Sequence, residues 1–325
     1  MTLLLTRSDV AALLTIDDYI ASIERVFKLY GEGRTDAPGI LGVHAPNGGF
    51  HIKAGTLDLD QSFFAAKINA NFPQNATRFG LPLIQGVIVL CNAENGLPLA
   101  VMDSIEITIQ RTGAATAVAA KYLARRESKS LTVCGCGNQG RISVQALSKV
   151  LPIDTVFAFD IDSDNATKFA EEMSQDFRVI PTDDVHAAVS QSDLVATCTP
   201  SNKYFLGREC VRAGTFIAAV GADSEKKQEL DPWLLAENTT IVDVLDQSAS
   251  IGELHHALDA GLMARSDVRA ELGEVVAGIK PGRTSADEII VFDSTGMALQ
   301  DVIAAATVYE RAKQRTVAGV IDLAL

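Results

Sequence analysis

No stretch of this chain approaches about 18 uninterrupted apolar residues, so no membrane-spanning helix is expected. Basic residues are scarce: 28 Lys+Arg stand against 41 Asp+Glu, a formal net charge of −13. That balance argues against nucleic acid or an anionic membrane surface as main partner, although one locally basic pocket can still take an anionic ligand. Cysteine is sparse too. Cys91, Cys134, Cys136, Cys198 and Cys210 are odd in number and scattered, which is no disulfide framework. Cys134 and Cys136 are followed by no His or Cys pair at zinc spacing. His44, His51, His186, His255 and His256 form no ligand pattern either, so no metal is expected. His255 and His256 are adjacent, point in different directions on a helix, and read as surface. The opening MTLLLTRSDVAALL lacks the basic segment, long apolar run and small-residue cleavage site of a secretory leader, so a cytoplasmic address is expected. There is no G-x-S-x-G nucleophile elbow and no Walker lysine.

What is present is an ordinary globular composition, 47% hydrophobic and 21% charged over 325 residues. At about 150 residues per domain this suggests two domains, and a chain this long buries about three quarters of its unfolded surface. Thr15 precedes a helix with Ile16, Ile20, Ile23, Val26, Phe27 and Tyr30 on one face, closed by Gly31 and Gly33. Residues 38–92 read as strands separated by Asn, Gly and Pro turns. A helix dense in Ala and Gly follows over roughly 104–124. From Ser130 strands and helices alternate: SLTVCG, DTVFAFDID, RVIPT, DLVATCTPS, GTFIAAVGAD, TTIVDVL and EIIVFDSTG are the strands. Such alternation implies a parallel sheet covered on both faces. A last helix, about 297–315, has the spacing to pack back on the first domain. The expected domains are 1–120, completed by 297–325, and 121–296.

Gly135-Cys136-Gly137-Asn138-Gln139-Gly140 fits G-x-G-x-x-G, follows a strand and opens a helix. The glycines permit a tight turn and close approach of backbone to a pyrophosphate, and the helix start offers unpaired N–H groups. Asp160 ends the next strand, 20 residues after Gly140, where an acid receives the adenosine ribose hydroxyls. The pattern predicts a Rossmann-type, doubly wound α/β domain binding NAD. An acid at this point favours NAD over NADP; Arg125, Arg126 and Arg141 are the cations that would soften the preference. Asp162 reads as a solvated turn residue. Ligands of such sheets lie beyond the carboxyl ends of the strands, which places Thr199, Pro200, Val220, Gly221, Ala222 and Ser294 near the cofactor.

Lys67 sits among apolar and small residues in FFAAKINANFPQN, and is either snorkelling to solvent, the safer reading, or aimed at an anionic ligand. Arg111 and Thr112 lie in an otherwise uncharged helical run, and a buried Arg111 needs a carboxylate from a substrate or from an acid such as Asp103. Asp223 either leans into the crevice as a proton acceptor or caps the next turn.

Taken in order, Lys67 with NANFPQN, GLPLIQGVIVLCNAENGLPLAVMDS, Arg111-Thr112-Gly113-Ala114-Ala115, GCGNQG, GADSEKKQELD and VFDSTGMALQD resemble the ornithine cyclodeaminase/mu-crystallin family over nearly the whole chain. PLAVMD, RTGAA, AAKYLAR, QELD and FDSTG have the wording of its archaeal-type alanine dehydrogenases. The resemblance implies a homodimer built through an α+β substrate-binding and dimerisation domain. It implies NAD in the glycine-rich domain and an amino or imino acid bound between the domains. It makes Lys67 and Arg111 the groups on the substrate carboxylate, Asp223 the acid that handles protons at the amine, and Thr112 a neighbour of the cofactor phosphates. Where relatives set an arginine or an acid toward the substrate, this chain offers His51 and Lys53. Three reactions follow from one shared hydride step at Cα: an alanine-type dehydrogenation, conversion of ornithine to proline and ammonia, and reduction of a ketimine. Some relatives are nucleotide-binding proteins without turnover.

Overall fold

In the computed structural model, which describes residues 1–36, 38–315 and 319–323, the chain divides into two units. One comprises Met1–Arg111 with Met297–Leu325, the other Thr112–Gly296.

The first unit is built on one sheet whose strands run in the order Val320–Ile321, Thr2–Leu5, Pro98–Asp103, Ile84–Asn92, Ser62–Asn71, Gly48–Asp58, Gly39–Ala45. The last five are antiparallel neighbours, so the strand-rich segment forms a meander. Thr2–Leu5 pairs in parallel with Pro98–Asp103. The helix after Thr15 spans Ile16–Gly31, and its start is fixed by a capping box in which the Thr15 hydroxyl and the Asp18 carboxylate each accept the other residue's backbone N–H. Its inner face buries Tyr19, Ile20, Ile23, Val26 and Phe27. The helix Ala298–Lys313 belongs to this unit, and Leu299 comes so near the sheet that a Cβ on Gly55 would lie 3.0 Å from it.

The second unit carries an all-parallel sheet in the order Ala270–Glu271, Thr239–Val242, Ile290–Asp293, Phe216–Ala219, Leu194–Thr197, Ser130–Cys134, Thr155–Phe159, Arg178–Thr182. Its central strands are buried on both faces, which is why they read as continuous apolar runs. The chain moves outward from Ser130–Cys134 through two strands, then crosses to Leu194–Thr197 on the other side. The order therefore reverses between those two strands, and ligands of such sheets bind at this kind of point.

The junction of the units falls within the helix Ser104–Leu123, between Arg111 and Thr112, which corrects the expected boundary at residue 120. The reason is packing. A Cβ on Gly113 would lie 2.7 Å from Ile142, so the small-residue half of this helix is pressed against the helix Asn138–Val150. Composition cannot mark a boundary inside a continuous helix.

Candidate active site

In the second unit the glycine-rich turn divides its glycines by task. Gly135 has φ +95°, and a Cβ on it would lie 2.8 Å from the Cys198 carbonyl and 3.2 Å from Thr199 Cγ2. A Cβ on Gly140 would run into the Gly135 carbonyl. Gly137, which caps the helix, faces open space. The outer glycines are consumed by packing and the middle one is left for a ligand, the division a dinucleotide pyrophosphate requires. Asn138, Gln139 and Gly140 form the first turn of a 13-residue helix, whose N–H groups are unpaired within the helix.

Asp160 stands beside this turn. Its carboxylate accepts from Cys136 N at 2.8 Å and Asp162 N at 3.0 Å, which fixes its direction. Asp162 is the N-cap of Ser163–Met173. A cavity of about 510 Å³ adjoins Asp160, lined also by Phe159, Pro181, Thr182, Asp183 and the fully exposed Ile161. None of its lining residues is basic. Arg141 is committed to Glu172 at 2.5 Å and to the Cys136 carbonyl, while Arg125 pairs with Asp193 at 2.8 Å, at the amino end of the strands. Arg126 is exposed, four residues before that same amino end at Ser130. The cations that were to soften the acid's effect are thus engaged or at the far edge of the sheet. Burial pushes the Cys136 thiol up to about 12, so it is a packing group and not a nucleophile.

Thr199 and Gly221 are drawn together by a residue the sequence reading missed. Glu229, fully buried, accepts from Thr197 Oγ1 at 2.6 Å, Thr199 N at 2.6 Å and Gly221 N at 2.9 Å. Burial raises its carboxyl above the ordinary range. Pro200 follows on the exposed side, Val220 and Ala222 flank Gly221, and Ser294 donates its N–H to the Ala219 carbonyl at 2.9 Å. Thr112 is buried, one residue before Gly113. Asp223 is exposed and pairs with Lys227 at 2.6 Å. The Lys227 carbonyl lies 2.8 Å from His256 Nε2, so His256 is a partly buried structural contact, which corrects its surface reading.

The first unit holds the charged cluster. Lys67, 3% exposed, places Nζ 2.9–3.0 Å from the Asp301 carboxylate and 3.4 Å from Thr108 Oγ1. Arg111 reaches the same carboxylate with Nε at 2.8 Å and Gln300 Oε1 with Nη1 at 2.6 Å. The snorkelling reading of Lys67 is therefore wrong, because an acid 234 residues away neutralises it in the interior. Asp103 is not the partner of Arg111. It accepts the Glu106 N–H at 2.9 Å and starts the helix. Lys53 faces Lys67 across the antiparallel pair, on the same side of the sheet, and His51 faces Asn69 at an exposed position. Burial, then Arg111, pushes Lys67 down to about 7, with Asp301 opposing. Burial raises the Asp301 carboxyl, but Arg111 and Lys67 outweigh it and hold it below the usual carboxylate range. Two buried cations thus share one buried carboxylate.

Among the described residues no cluster of His, Cys, Asp and Glu is arranged to hold a metal ion, and no helix is long and apolar enough to cross a membrane.

Residues 1–316 match the ornithine cyclodeaminase/mu-crystallin family. The chain is 38% identical over 323 residues to alanine dehydrogenase of Archaeoglobus fulgidus, with 98% of each chain covered. Its fold matches a solved archaeal alanine dehydrogenase dimer with bound NAD at a TM-score of 0.95, 37% identity and 99% of both chains. It also matches Delta(1)-pyrroline-2-carboxylate reductase of Thermococcus litoralis, solved with NADH and L-proline, at a TM-score of 0.93 and 33% identity over 98% of this chain and 100% of that one.

Proposed function

The chain belongs to the ornithine cyclodeaminase/mu-crystallin family, and from that premise we propose a cytoplasmic, homodimeric, NAD-dependent oxidoreductase of small L-amino acids. The observation that carries the proposal is the buried Lys67–Asp301–Arg111 cluster, a seat for a carboxylate, in a chain that also carries an open glycine-rich turn.

Gly135, Gly137, Asn138, Gln139 and Gly140 would hold the NAD pyrophosphate, Asp160 the adenosine ribose, and Thr112, Thr199, Pro200, Val220, Gly221, Ala222 and Ser294 the rest. NAD supplies the acceptor for the hydride that leaves Cα, and the amino acid, losing one further proton from nitrogen, becomes an imino acid. Lys67 and Arg111 hold the substrate carboxylate and so fix the direction of the Cα–H bond. Positioning of this kind can supply several kcal/mol of a barrier. The buried Lys67–Asp301 pair keeps that grip rigid. Asp223 accepts the amine proton on its carboxylate. Lys53 and His51 stand on the same sheet face as Lys67 and complete the substrate surface.

The opposite face of that sheet supports the homodimer. Leu41, Val43, Phe50, Ile68 and Val87 lie side by side there, 37–56% exposed. An apolar patch of this kind is normally covered by a partner.

The test is incubation with NAD and L-alanine, then L-ornithine, following absorbance at 340 nm and ammonia together. Alanine-dependent formation of NADH is the expected result. Ammonia from ornithine with no net NADH would replace dehydrogenation by cyclodeamination, and silence on amino and imino acids alike would sink the enzyme reading.

A further inference from the structure

We propose that Glu229 is a positioning residue for the dinucleotide site: its carboxylate clamps the turns after two neighbouring strands, and through them sets the glycine-rich turn. This rests on the NAD reading above. The geometry is continuous. Thr199 follows the strand Leu194–Thr197, and Gly221 follows Phe216–Ala219, its direct parallel neighbour. One carboxylate oxygen accepts from Thr199 N at 2.6 Å, while the other accepts from Thr197 Oγ1 at 2.6 Å and Gly221 N at 2.9 Å. The Thr199 turn in turn bears on Gly135, where a Cβ would stand 3.2 Å from Thr199 Cγ2. Gly221 is wrapped so closely around the carboxylate that a Cβ there would strike it. A shift of Glu229 therefore moves the turns after both strands and, through Thr199, the glycine-rich turn beside them.

The chemistry requires an acid and not merely a polar group. Two backbone N–H donors sit on opposite oxygens. A glutamine can offer its oxygen to only one of them, and its amide then confronts the other donor to donor. An aspartate keeps both acceptors and falls one methylene short. Glu229 is itself held from below, since Glu253 accepts Glu229 N at 2.7 Å and Leu230 N at 3.2 Å. A buried acid that satisfies three donors from two strand ends is costly to desolvate. A wholly apolar contact would pack at less cost but would leave both turns without an acceptor.

The experiment measures NADH affinity of the full chain by fluorescence and by calorimetry for the parent, Glu229→Gln and Leu234→Ala. Leu234 is fully buried in the core beside the same strands, and its truncation shows what instability alone does to binding. The expected result is a rise of about tenfold in the NADH Kd of Glu229→Gln, the loss of about one hydrogen bond to a charged acceptor, with Leu234→Ala unchanged in Kd despite a lower Tm. Glu229→Gln with a lower Tm but a parental Kd would make the residue merely structural and overturn the proposal. If the glutamine variant does not fold, Glu229→Asp is read by the same criterion. A parent that binds no NADH would overturn the NAD reading itself, whereas a parent that binds with Glu229→Gln alongside it overturns only the clamp.

Discussion

Replacing Asp301 by asparagine removes the one negative charge that Lys67 and Arg111 share, while keeping the shape of the side chain. Breaking a buried ion pair by deleting one partner costs about 3–5 kcal/mol, because the remaining charge is left uncompensated. Here two cations are left, and they respond differently. Lys67 already sits near 7, and without the attraction of Asp301 it falls further and sheds its proton at neutral pH. Arg111 cannot. The cost is therefore that of about one stranded cation, 3–5 kcal/mol and not twice that, a large share of the about 5–15 kcal/mol that folded proteins possess. Urea unfolding of the parent, Asp301→Asn, Lys67→Met and the double variant measures it. The double variant should lie above the sum of the two singles in stability, since without Asp301 the lysine is already neutral and has no ion pair left to lose. The pH dependence has a definite sign. In the parent, folded Lys67 releases its proton at a lower pH than its unfolded value of 10.5, so the unfolded chain binds more protons between about 7 and 10.5 and stability rises with pH across that window. In Asp301→Asn the window extends to lower pH. A loss below about 1 kcal/mol, or strictly additive singles, would refute the shared-carboxylate reasoning.

Other expectations follow from single contacts. Gly140→Ala drives a methyl into the Gly135 carbonyl and should abolish NADH binding, read by fluorescence; near-parental binding would show that the turn relaxes freely. Asp160→Ala removes the charge that repels a 2′-phosphate and should narrow the preference for NADH over NADPH by at least about tenfold; an unchanged ratio in calorimetry places the discrimination elsewhere. Leu41→Glu with Val43→Glu charges the exposed sheet face and should give a monomer in sedimentation, whereas an intact dimer would put the interface on another surface.

The parts of the fold that were legible in the sequence are those whose physics is local. The capped helix after Thr15, the apolar strands of the parallel sheet and the glycine-rich turn with its helix all declare themselves within a few residues. What stayed hidden depends on distant partners. No neighbour of Asp301 or Glu229 in the sequence marks its partners, yet both are buried, one under Lys67 and Arg111, the other under two strand-end turns. Lys67 was misjudged for the same reason. An acid within an alanine-rich helix, directly after Gln300, was the signal that a buried cation would meet it there. Thr2–Leu5 and Asn202–Leu206 were missed as strands because each is short and its neighbour lies far along the chain, for Asn202–Leu206 in the still shorter Gln228–Leu230.

The first unit is assembled from both ends of the polypeptide, whereas Thr112–Gly296 is one uninterrupted stretch. A ribosome therefore completes the nucleotide half before it has translated the helix that finishes the other. Until Asp301 emerges, Lys67 and Arg111 have no counter-charge on which to close, and the nascent meander waits with its cationic face unburied. The first unit is thus the last to mature, and a shortened message that stops before residue 297 would yield a folded second unit beside an unfinished first.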